Sequence, residues 1–209
     1  MKNGIWDKLA HKYDRLWVQK YSLTPTRKKV LSILAENYRN KNFSLLDIGC
    51  ATGQLLFEVN NQYPDAKLLG LDKSEEMISR AQNQAKNAYL FCANIDECSL
   101  SEYMDENSLD FIVCCHSFPY YKNKKAVLQK LCRLLKDNGK IIFAQASINN
   151  VYDRFIMAII ETTAEPADYL SKKKFRELAG DYFNIRSEFV IKERFFMPTI
   201  CAFVMEKRI

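Results

Sequence analysis

The stretch from Leu45 to Gly53 constrains the fold of this 209-residue chain more than any other. A strand-like apolar run ends at Ile48, small residues fill positions 49–53, and a helix is predicted from Gln54 onward. Gly49 and Gly53 allow the backbone to approach a ligand closely and to adopt conformations that a side chain forbids. The unpaired N–H groups at the helix start favour a carboxylate or a phosphate. The stretch therefore predicts a strand–loop–helix unit with a ligand site at its loop.

Short apolar runs alternate with segments of helical period along the rest of the chain. Seven strands are predicted, at Ser44–Ile48, Lys67–Leu71, Tyr89–Cys92, Leu109–Cys115, Lys140–Ala144, Ile185–Lys192 and Thr199–Met205. The alternation is typical of an α/β fold, in which a mostly parallel sheet is covered by helices on both faces. Because few residues separate the last two strands, we expect a hairpin with an antiparallel last strand. The sequence predicts a three-layer sandwich with a seven-stranded, mostly parallel sheet.

Local signals predict several helix ends and one turn. Thr24-Pro25 indicates a capped helix start, and the apolar stripe that follows ends at Tyr38. Ser74 indicates the cap of another helix, whose first turn is acidic, as the helix dipole favours. Asp137-Asn138-Gly139 predicts a turn into the fifth strand.

Two regions lie outside the predicted sheet. Residues 1–22 form a predicted N-terminal cap helix with apolar side chains at helical spacing, namely Ile5, Leu9, Tyr13, Leu16 and Trp17. Residues 149–180 form a helical insertion between strands five and six, with helices at Val151–Thr163 and Lys172–Ala179 separated by Ala164-Glu165-Pro166. Either region covers the open end of the sheet, where ligands bind in such folds, or packs as plain helices. No linker is recognisable, so residues 1–209 are predicted to form a single domain.

Charge and cysteine content restrict the expected partners and environment. The formal charge of +6 includes basic clusters at residues 27–29, 122–125 and 172–174, which indicate solvated helix faces or, alternatively, a nucleic-acid surface. The seven cysteines include no C-x-x-C pair and the chain has no histidine cluster, so no metal site is predicted. No signal-peptide core or membrane-length apolar run is recognisable. We therefore expect a reduced, cytoplasmic monomer or homodimer without nucleic-acid or membrane partners.

The residues around the glycine loop distinguish between two kinds of ligand. A dinucleotide fingerprint counted from Gly49 requires glycine at the positions of Ala51 and Gln54, so a pyrophosphate is disfavoured. Asp47, just before the loop, suits a ligand ammonium better than a pyrophosphate. Asp72 follows the second predicted strand, where an acid accepts hydrogen bonds from ribose hydroxyls; the alternative is an aspartate of a surface turn. A ligand that combines an amino acid group with a nucleoside fits these positions best.

Three motifs connect the glycine loop with the rest of the chain. They are Asp47-x-Gly49-x-Ala51-x-Gly53, Asp72-x-Ser74-x-x-Met77 and the opening Trp6-Asp7-x-Leu9-Ala10-x-x-Tyr13-Asp14. Together they resemble the class I S-adenosylmethionine (SAM)-dependent methyltransferase family, and the opening is similar to the cap helix of small-molecule members. The resemblance implies a Rossmann-like fold, methyltransferase activity (EC 2.1.1.-), SAM as cofactor and S-adenosylhomocysteine (SAH) as product.

The resemblance also implies the roles of individual residues. Asp47 and the loop backbone hold the methionine end of SAM, Asp72 holds the ribose, and Lys73 and Met77 flank the adenine. Asn94 replaces the acid that reads the adenine amino group in the family, and its amide oxygen still accepts such a hydrogen bond. Tyr13 either caps the methionine carboxylate or simply packs. The implied cofactor-binding set is Tyr13, Asp47, Gly49, Cys50, Ala51, Gly53, Asp72, Lys73, Met77, Asn94, Ile95 and Cys115.

The segment after the fourth predicted strand supplies the candidates for the chemistry. Methyl transfer from a sulfonium is an in-line displacement, so alignment and exclusion of water provide much of the rate. A base is needed only when the nucleophile arrives protonated. His116 is the candidate catalytic base, because its unperturbed pKa of about 6.5 suits proton removal near neutrality; alternatively it only binds the cofactor or shapes the pocket. Candidate acceptor-binding residues, with core packing as the alternative, are Trp17, Tyr120, Tyr121 and Tyr152, together with Phe155 and Tyr169.

Three other functions stay open at this point. A nucleic-acid methyltransferase is favoured weakly by the charge, but no Asn-Pro-Pro-Tyr or Asp-Pro-Pro-Tyr motif follows strand four. A non-catalytic SAM-binding protein is left open by Asn94, and a nicotinamide dehydrogenase is disfavoured by Gln54. We expect transfer of a methyl group from SAM to an O, N, S or C atom of a small molecule.

Overall fold

A seven-stranded sheet forms the centre of the protein. The computed structural model describes residues 4–37, 42–161, 166–194 and 197–208. The sheet order is β3-β2-β1-β4-β5-β7-β6, where the strands are β1 (Ser44–Ile48), β2 (Lys67–Asp72), β3 (Tyr89–Cys92), β4 (Leu109–Cys115), β5 (Leu135–Ala146), β6 (Phe183–Ile191) and β7 (Ile200–Lys207). β1 to β5 pair in parallel, whereas β7 is antiparallel to both β5 and β6. The predicted α/β fold and the antiparallel last strand are confirmed.

Helices cover both faces of this sheet. The α-helices that the structure describes are α1 (Ile5–Leu9), α2 (Thr24–Asn37), α3 (Gln54–Gln62), α4 (Glu75–Gln84), α5 (Lys124–Leu134), α6 (Val151–Glu161) and α7 (Lys172–Ala179). Apolar side chains of α2, α3 and α4 pack with Leu45 and Phe111 on one face. Those of α5 and α7 pack with Leu46 and Ile112 on the other. Neighbouring strand residues thus face different layers, which is why β1 and β4 are apolar almost without interruption.

The strand order reverses direction between β1 and β4. The chain passes from β1 outward to β2 and β3, and then returns to place β4 on the other side of β1. In open α/β sheets, ligands bind at the carboxyl ends of the strands beside such a reversal. The topology therefore brings Asp47 and the glycine loop next to the end of β4, where His116 follows Cys115.

The N-terminal region is not the single cap helix predicted for residues 1–22. α1 ends at Leu9, a 3-10 turn follows at Tyr13–Arg15, and Leu16 is extended with a ψ of 143°. Helical structure then resumes as a π-type turn at Gln19–Leu23. The apolar spacing that suggested one helix instead reflects short segments that fold over the end of the sheet.

The predicted helix start at Thr24-Pro25 is also corrected. The π-type turn continues directly into α2, so Thr24 lies within helical structure rather than before it. Pro25 lacks an N–H group and removes one hydrogen bond from an α-helical ladder, and the wider turn before it accommodates this loss. Val30, Ile33 and Leu34 are buried as predicted, whereas Tyr38 lies outside the described residues.

The insertion at residues 149–180 divides into parts with different positions. α6 is assigned as far as Glu161, and the predicted break at Ala164-Glu165 lies outside the described residues. α7 packs on the sheet face, where the ring of Phe175 stacks on that of Phe203 at 4.5 Å. The segment before α7 reaches the loop after β4, because the N–H of Asp168 donates to the carbonyl of Pro119. This last part contacts the loop that follows β4 at the ligand-binding end of the sheet.

The turn predicted at Asp137-Asn138-Gly139 is a bulge inside β5. Leu109 pairs with Leu135, and Phe111 pairs with Lys140. More residues of β5 than of β4 therefore lie between these two pairs. Asp137 and Asn138 are exposed at this bulge. Elsewhere, all seven cysteines are free thiols. Across the described ranges, every helix is too short or too polar to cross a membrane.

Candidate functional site

The glycine loop after β1 adopts left-handed backbone conformations at three positions. Gly49, Ala51 and Gly53 have φ values of +74°, +47° and +80°. The N–H groups of Gly49 and Cys50 both donate to the carbonyl of Leu71, at 2.7 and 3.1 Å. A Cβ atom on Gly49 would lie 2.4 Å from the Cβ of Ser117, so only glycine fits there. The non-glycine residue at position 51 adopts its conformation at a cost of about 1–2 kcal/mol.

Asp72 joins the glycine loop to the start of α4. Its Oδ2 accepts a hydrogen bond from the N–H of Ala51 at 2.9 Å, and its Oδ1 accepts one from the N–H of Ser74 at 3.0 Å. Burial raises the pKa of the carboxyl, and the two backbone hydrogen bonds oppose that rise. Each carboxylate oxygen keeps a further lone pair. The arrangement therefore leaves Asp72 able to accept hydrogen bonds from a ribose diol.

Asp47 is a buried acid within the sheet beside this loop. It is 4% exposed. Burial and, to a lesser extent, the charge of Asp72 raise its pKa to about 7, against the opposing charge of Arg27. Two carboxyl groups near one another in a buried setting favour a cationic partner. Asp47 thus has the properties expected of a site for a ligand ammonium.

A small cavity opens at the carboxyl ends of β1 and β4. It is lined by Tyr13, Leu23, Arg27, Asp47, Gly49, Cys50, Ala51, Thr52, Gln54, Leu55, Cys115 and His116. Several of the predicted cofactor-binding residues are therefore brought together in one place. A larger cavity lies near the ends of α3 and α4, but amide and apolar side chains such as Asn60, Asn87 and Phe57 line it, without any acid. The smaller cavity is the candidate site, because the ionisable side chains of Arg27, Asp47 and His116 line it.

The predicted adenine-binding residues lie beyond Asp72. Met77 and Ile95 are buried, whereas Lys73 is exposed. The side-chain oxygen of Asn94 accepts a hydrogen bond from the N–H of Asp96 at 3.1 Å, so the amide helps to form its own turn. One lone pair of that oxygen remains for a ligand. The assignment of these residues to adenine stays a prediction.

His116 follows β4 in a left-handed conformation with a φ of +60°. Its backbone N–H donates to the carbonyl of Ala144 at 2.8 Å. Its ring Nε2 lies 2.9 Å from Oγ1 of Thr26 in α2. Burial, together with the charge of Arg27, lowers its pKa to about 4. The sequence prediction assumed an unperturbed pKa for the imidazole of His116, and this assumption does not hold at this buried position. His116 is neutral at pH 7, available as a hydrogen-bond acceptor but weaker as a base than an exposed histidine.

Cys115, directly before His116, is not an activated thiol. Burial raises its pKa well above the ordinary value. The same cause raises the pKa of the neighbouring Cys114 to about 12. Both side chains are therefore protonated at neutral pH, so neither thiol is an activated nucleophile.

Aromatic side chains form a cluster that includes Tyr13, which lines the cavity. The ring of Trp6 makes an edge contact with Tyr120 at 5.4 Å and with Tyr13 at 6.5 Å. The hydroxyls of Tyr120 and Tyr169 lie 3.2 Å apart. We call Trp6, Tyr13, Tyr120 and Tyr169 the mouth cluster. Trp6 was not predicted as a site residue, although it directly precedes the first aspartate of the opening motif.

The other predicted acceptor-binding aromatics lie elsewhere. The hydroxyl of Tyr121 donates to Ser117 Oγ at 2.9 Å, and Ser117 Oγ in turn donates to the carbonyl of Ile48. Tyr121 is thus linked by hydrogen bonds to the strand end that precedes the glycine loop. Trp17 is 55% exposed and Tyr152 is 39% exposed with Lys192 over its ring. The sequence pattern alone does not distinguish aromatic side chains that point to solvent from those that line a pocket.

Two aspartates of the N-terminal region hold it against the ligand-binding loops. Asp14 accepts hydrogen bonds from Thr52 Oγ1 at 2.7 Å and from Gln54 Nε2 at 2.8 Å, at the start of α3. Asp7 accepts one from Ser74 Oγ, the residue that caps α4. Acids at helix starts also interact favourably with the helix dipole. The repeated aromatic–aspartate pair of the opening motif was the signal that could have identified both contacts.

Arg27 is a further site residue that the sequence prediction missed. Its guanidinium donates to Glu58 at 2.9 Å, to Gln19 at 3.1 Å and to Thr24 at 3.1 Å, and its side chain is 12% exposed. Gln19 continues this chain of contacts by donating to the carbonyl of Tyr13. The basic cluster at residues 27–29 thus contributes one arginine to the cavity rather than a uniformly solvated face.

The chemistry of these groups suits a ligand with an ammonium, a carboxylate and a diol. Asp47 supplies a negative charge, Arg27 supplies a positive one, and Asp72 supplies acceptors at the adjoining loop. Within the described ranges, no cluster of three or more His, Cys, Asp or Glu side chains is placed to hold a metal ion.

Comparisons with known proteins agree with this geometry. Residues 39–182 match a family model described as a methyltransferase domain. The malonyl-[acyl-carrier protein] O-methyltransferase of Priestia megaterium is 27% identical over 118 residues, which cover 56% of this chain and 41% of the relative. The chain spans about half the length of the curated relatives it matches.

Two solved structures share the fold over nearly their whole length. Magnesium protoporphyrin IX methyltransferase from Synechocystis PCC 6803, with bound SAH, superposes with a TM-score of 0.73 at 17% identity over 98% of each chain. The methyltransferase in complex with the Haloferax volcanii Trm112 methyltransferase activator gives a TM-score of 0.76 at 15% identity over 99% of each chain. At such identities the likeness establishes the fold.

Proposed function

Because the chain belongs to the class I SAM-dependent methyltransferase family, we propose that it binds SAM in the cavity between β1 and β4 and transfers the methyl group to a small molecule. The observation that carries the proposal is the carboxylate of Asp72, fixed by N–H groups of the glycine loop and of the α4 start. Buried Asp47 lies nearby at the end of β1.

The cofactor-binding residues divide by the part of SAM that each would hold. Asp47 and the backbone of Gly49, Cys50, Ala51 and Gly53 take the methionine end, with Tyr13 above it and Arg27 supplying charge for the carboxylate. Asp72 takes the ribose. Lys73, Met77, Asn94 and Ile95 surround the adenine, and the carbonyl of Cys115 accepts from the ligand ammonium.

Bound SAM supplies an electrophilic methyl group on a sulfonium sulfur. The protein contributes alignment of the acceptor and exclusion of water, which together account for much of the rate of such a displacement. The N-terminal region, held by Asp7 and Asp14, covers the site. His116 accepts a hydrogen bond from the acceptor heteroatom and orients it. Where the acceptor brings a proton, His116 takes that proton as the bond forms.

A small acceptor is favoured by what surrounds the cavity. The mouth cluster presents aromatic rings, which suit an aromatic or cationic molecule. Parts of the basic clusters are already paired, since Lys124 contacts Asp168, Lys125 contacts Asp181 and Lys172 contacts Glu188. Such pairing reduces the positive surface available to a nucleic acid. Two of the proteins compared above carry names of small-molecule or acyl-carrier substrates, which agrees with this choice.

Calorimetric titration tests the cofactor directly. We expect the purified chain to bind SAM and SAH and not NADH. Asp72→Ala is expected to weaken binding by about 100-fold, because two hydrogen bonds to a charged group contribute about 1.5 kcal/mol or more each. Asp65→Ala, which removes an exposed acid outside the site, serves as the matched control and should bind normally. Tight NADH binding without SAM binding would overturn the proposal.

Transfer of a labelled methyl group distinguishes the remaining alternatives. Label incorporated into a panel of small phenols, amines, thiols and carboxylic acids supports the proposal. Label incorporated only into RNA or DNA indicates a nucleic-acid methyltransferase, and SAM binding without transfer to any class indicates a non-catalytic binder. One structural neighbour was solved with a protein activator, so the chain is assayed alone first, and transfer by the chain alone excludes a need for such a partner.

A further inference from the structure

The hydrogen bonds of Thr26 determine which nitrogen of His116 carries the proton. Thr26 is fully buried in α2, and its Oγ1 donates to the carbonyl oxygen of Ser22 at 2.8 Å. The same Oγ1 lies 2.9 Å from Nε2 of His116. A hydroxyl has one proton, so once it donates to a carbonyl it offers the imidazole only lone pairs. Nε2 must therefore be the donor in this contact.

The proton on Nε2 makes Nδ1 the only ring nitrogen that can accept a hydrogen bond. In a neutral imidazole one nitrogen donates and the other accepts. The ring is neutral at pH 7, since burial and Arg27 lower its pKa to about 4. Within the described part of the chain no hydrogen-bond partner of Nδ1 is found, and this atom is not fully buried. His116 also lines the cavity. A ligand in the cavity can therefore reach it.

Both ends of this contact are held by the backbone. The backbone of His116 is left-handed, and its main-chain N–H donates to the carbonyl of Ala144 at 2.8 Å. On the other side, Ser22 belongs to the π-type turn before α2, and its carbonyl faces Thr26 four residues later. Irregular helical turns of this kind are frequent at functional sites. The contact joins residues 90 positions apart, so the tertiary fold and not local sequence brings them together.

We propose that Thr26 is the positioning residue of His116: it fixes the tautomer protonated on Nε2 and so directs the lone pair of Nδ1 to the methyl acceptor. The role in methyl transfer rests on the proposed function, whereas the tautomer does not depend on it. Substrate recognition by this nitrogen then requires a hydrogen-bond donor on the acceptor, such as a hydroxyl, an amine or a thiol.

Nitrogen NMR of the histidine side chains tests the tautomer without any ligand. The chain contains two histidines, and exposed His11 provides an internal reference signal. In the ¹⁵N-labelled wild-type chain at pH 7 we expect Nε2 of His116 at a protonated shift and Nδ1 at an unprotonated one. Thr26→Ser keeps the hydroxyl and should keep this pattern. Thr26→Val keeps the shape but removes the acceptor, and should abolish the single-tautomer pattern.

Each result bears on the proposal. A wild-type spectrum with the proton on Nδ1, or with both tautomers mixed, overturns it, and so does an unchanged spectrum in Thr26→Val. If Thr26→Val does not fold, the wild-type and Thr26→Ser spectra decide alone. In a transfer assay Thr26→Val should lower kcat by about tenfold or more with an unchanged KM for SAM, and an unchanged kcat overturns the positioning role. Failure of the wild type to bind SAH contradicts the proposed function and leaves the tautomer standing.

Discussion

At the scale of single residues, Asp47 links ligand binding to protonation. Its pKa of about 7 in the folded chain, raised mainly by burial, compares with about 3.9 for an unfolded aspartate. Between these values the folded state binds more protons than the unfolded state. The stability that Asp47 contributes is therefore complete below about pH 4 and is lost as pH rises through about 7.

Asp47→Asn is expected to gain stability relative to the wild type as pH rises. From pH 5 to pH 8 the difference in unfolding free energy should grow by about 2–3 kcal/mol in favour of the variant, because the asparagine cannot be ionised. Urea unfolding without ligand measures this difference at both values. The same variant should lose affinity for SAM, because the carboxylate that pairs with the ammonium is absent.

Asp110 on β4 provides the control for that experiment. Burial raises its pKa, but hydrogen bonds from Lys136 and Ser44 outweigh this and lower it overall. Both of its relevant pKa values therefore lie below 5, so the stability difference caused by Asp110→Asn should stay constant between pH 5 and pH 8. A constant difference for Asp47→Asn as well would mean that Asp47 titrates like an ordinary aspartate.

At the scale of elements, the N-terminal region is held at the starts of two helices, and we predict that it acts as a cover over the ligand site. Asp14 contacts the start of α3 and Asp7 contacts the start of α4, the two helices that follow the loops carrying Gly49 and Asp72. We therefore expect a ligand bound by these loops to lie beneath this cover. Short segments with few buried contacts open more easily than the sheet.

Asp14→Ala should loosen the cover without unfolding the chain. Loss of two hydrogen bonds to a carboxylate is expected to weaken SAM binding by about tenfold, with faster hydrogen exchange in residues 4–23. Calorimetry and exchange mass spectrometry measure the two effects. Arg15→Gln, an exposed change in the same turn, is the matched control. Normal SAM affinity in Asp14→Ala would separate the cover from cofactor binding.

At the scale of the whole molecule, the sequence predicted the sheet well because β1, β2 and β4 are apolar runs between clear turn signals. It also placed Asp47, the glycine loop and Asp72 together, since the ends of neighbouring parallel strands meet at one edge. Periodicity could not show the irregular N-terminal turns, nor that Arg27 lines the cavity and that Thr26 contacts His116 from α2. The protonation of His116 also depends on burial, which only the packed structure determines.

The site is built from β1, β2, β4, α2 and the N-terminal region, so ligand binding should stabilise the chain as a whole. With SAH at about 100 times its dissociation constant, mass action adds about 2.7 kcal/mol to the unfolding free energy. For a domain of this size that corresponds to a rise in Tm of about 5–10 °C. Thermal denaturation with SAH, NADH and no ligand measures it, with Asp72→Ala beside the wild type. A rise with SAH in the wild type alone is expected, because only an intact ribose contact couples the loops of β1 and β2. An equal rise in Asp72→Ala would place the ligand elsewhere on the molecule.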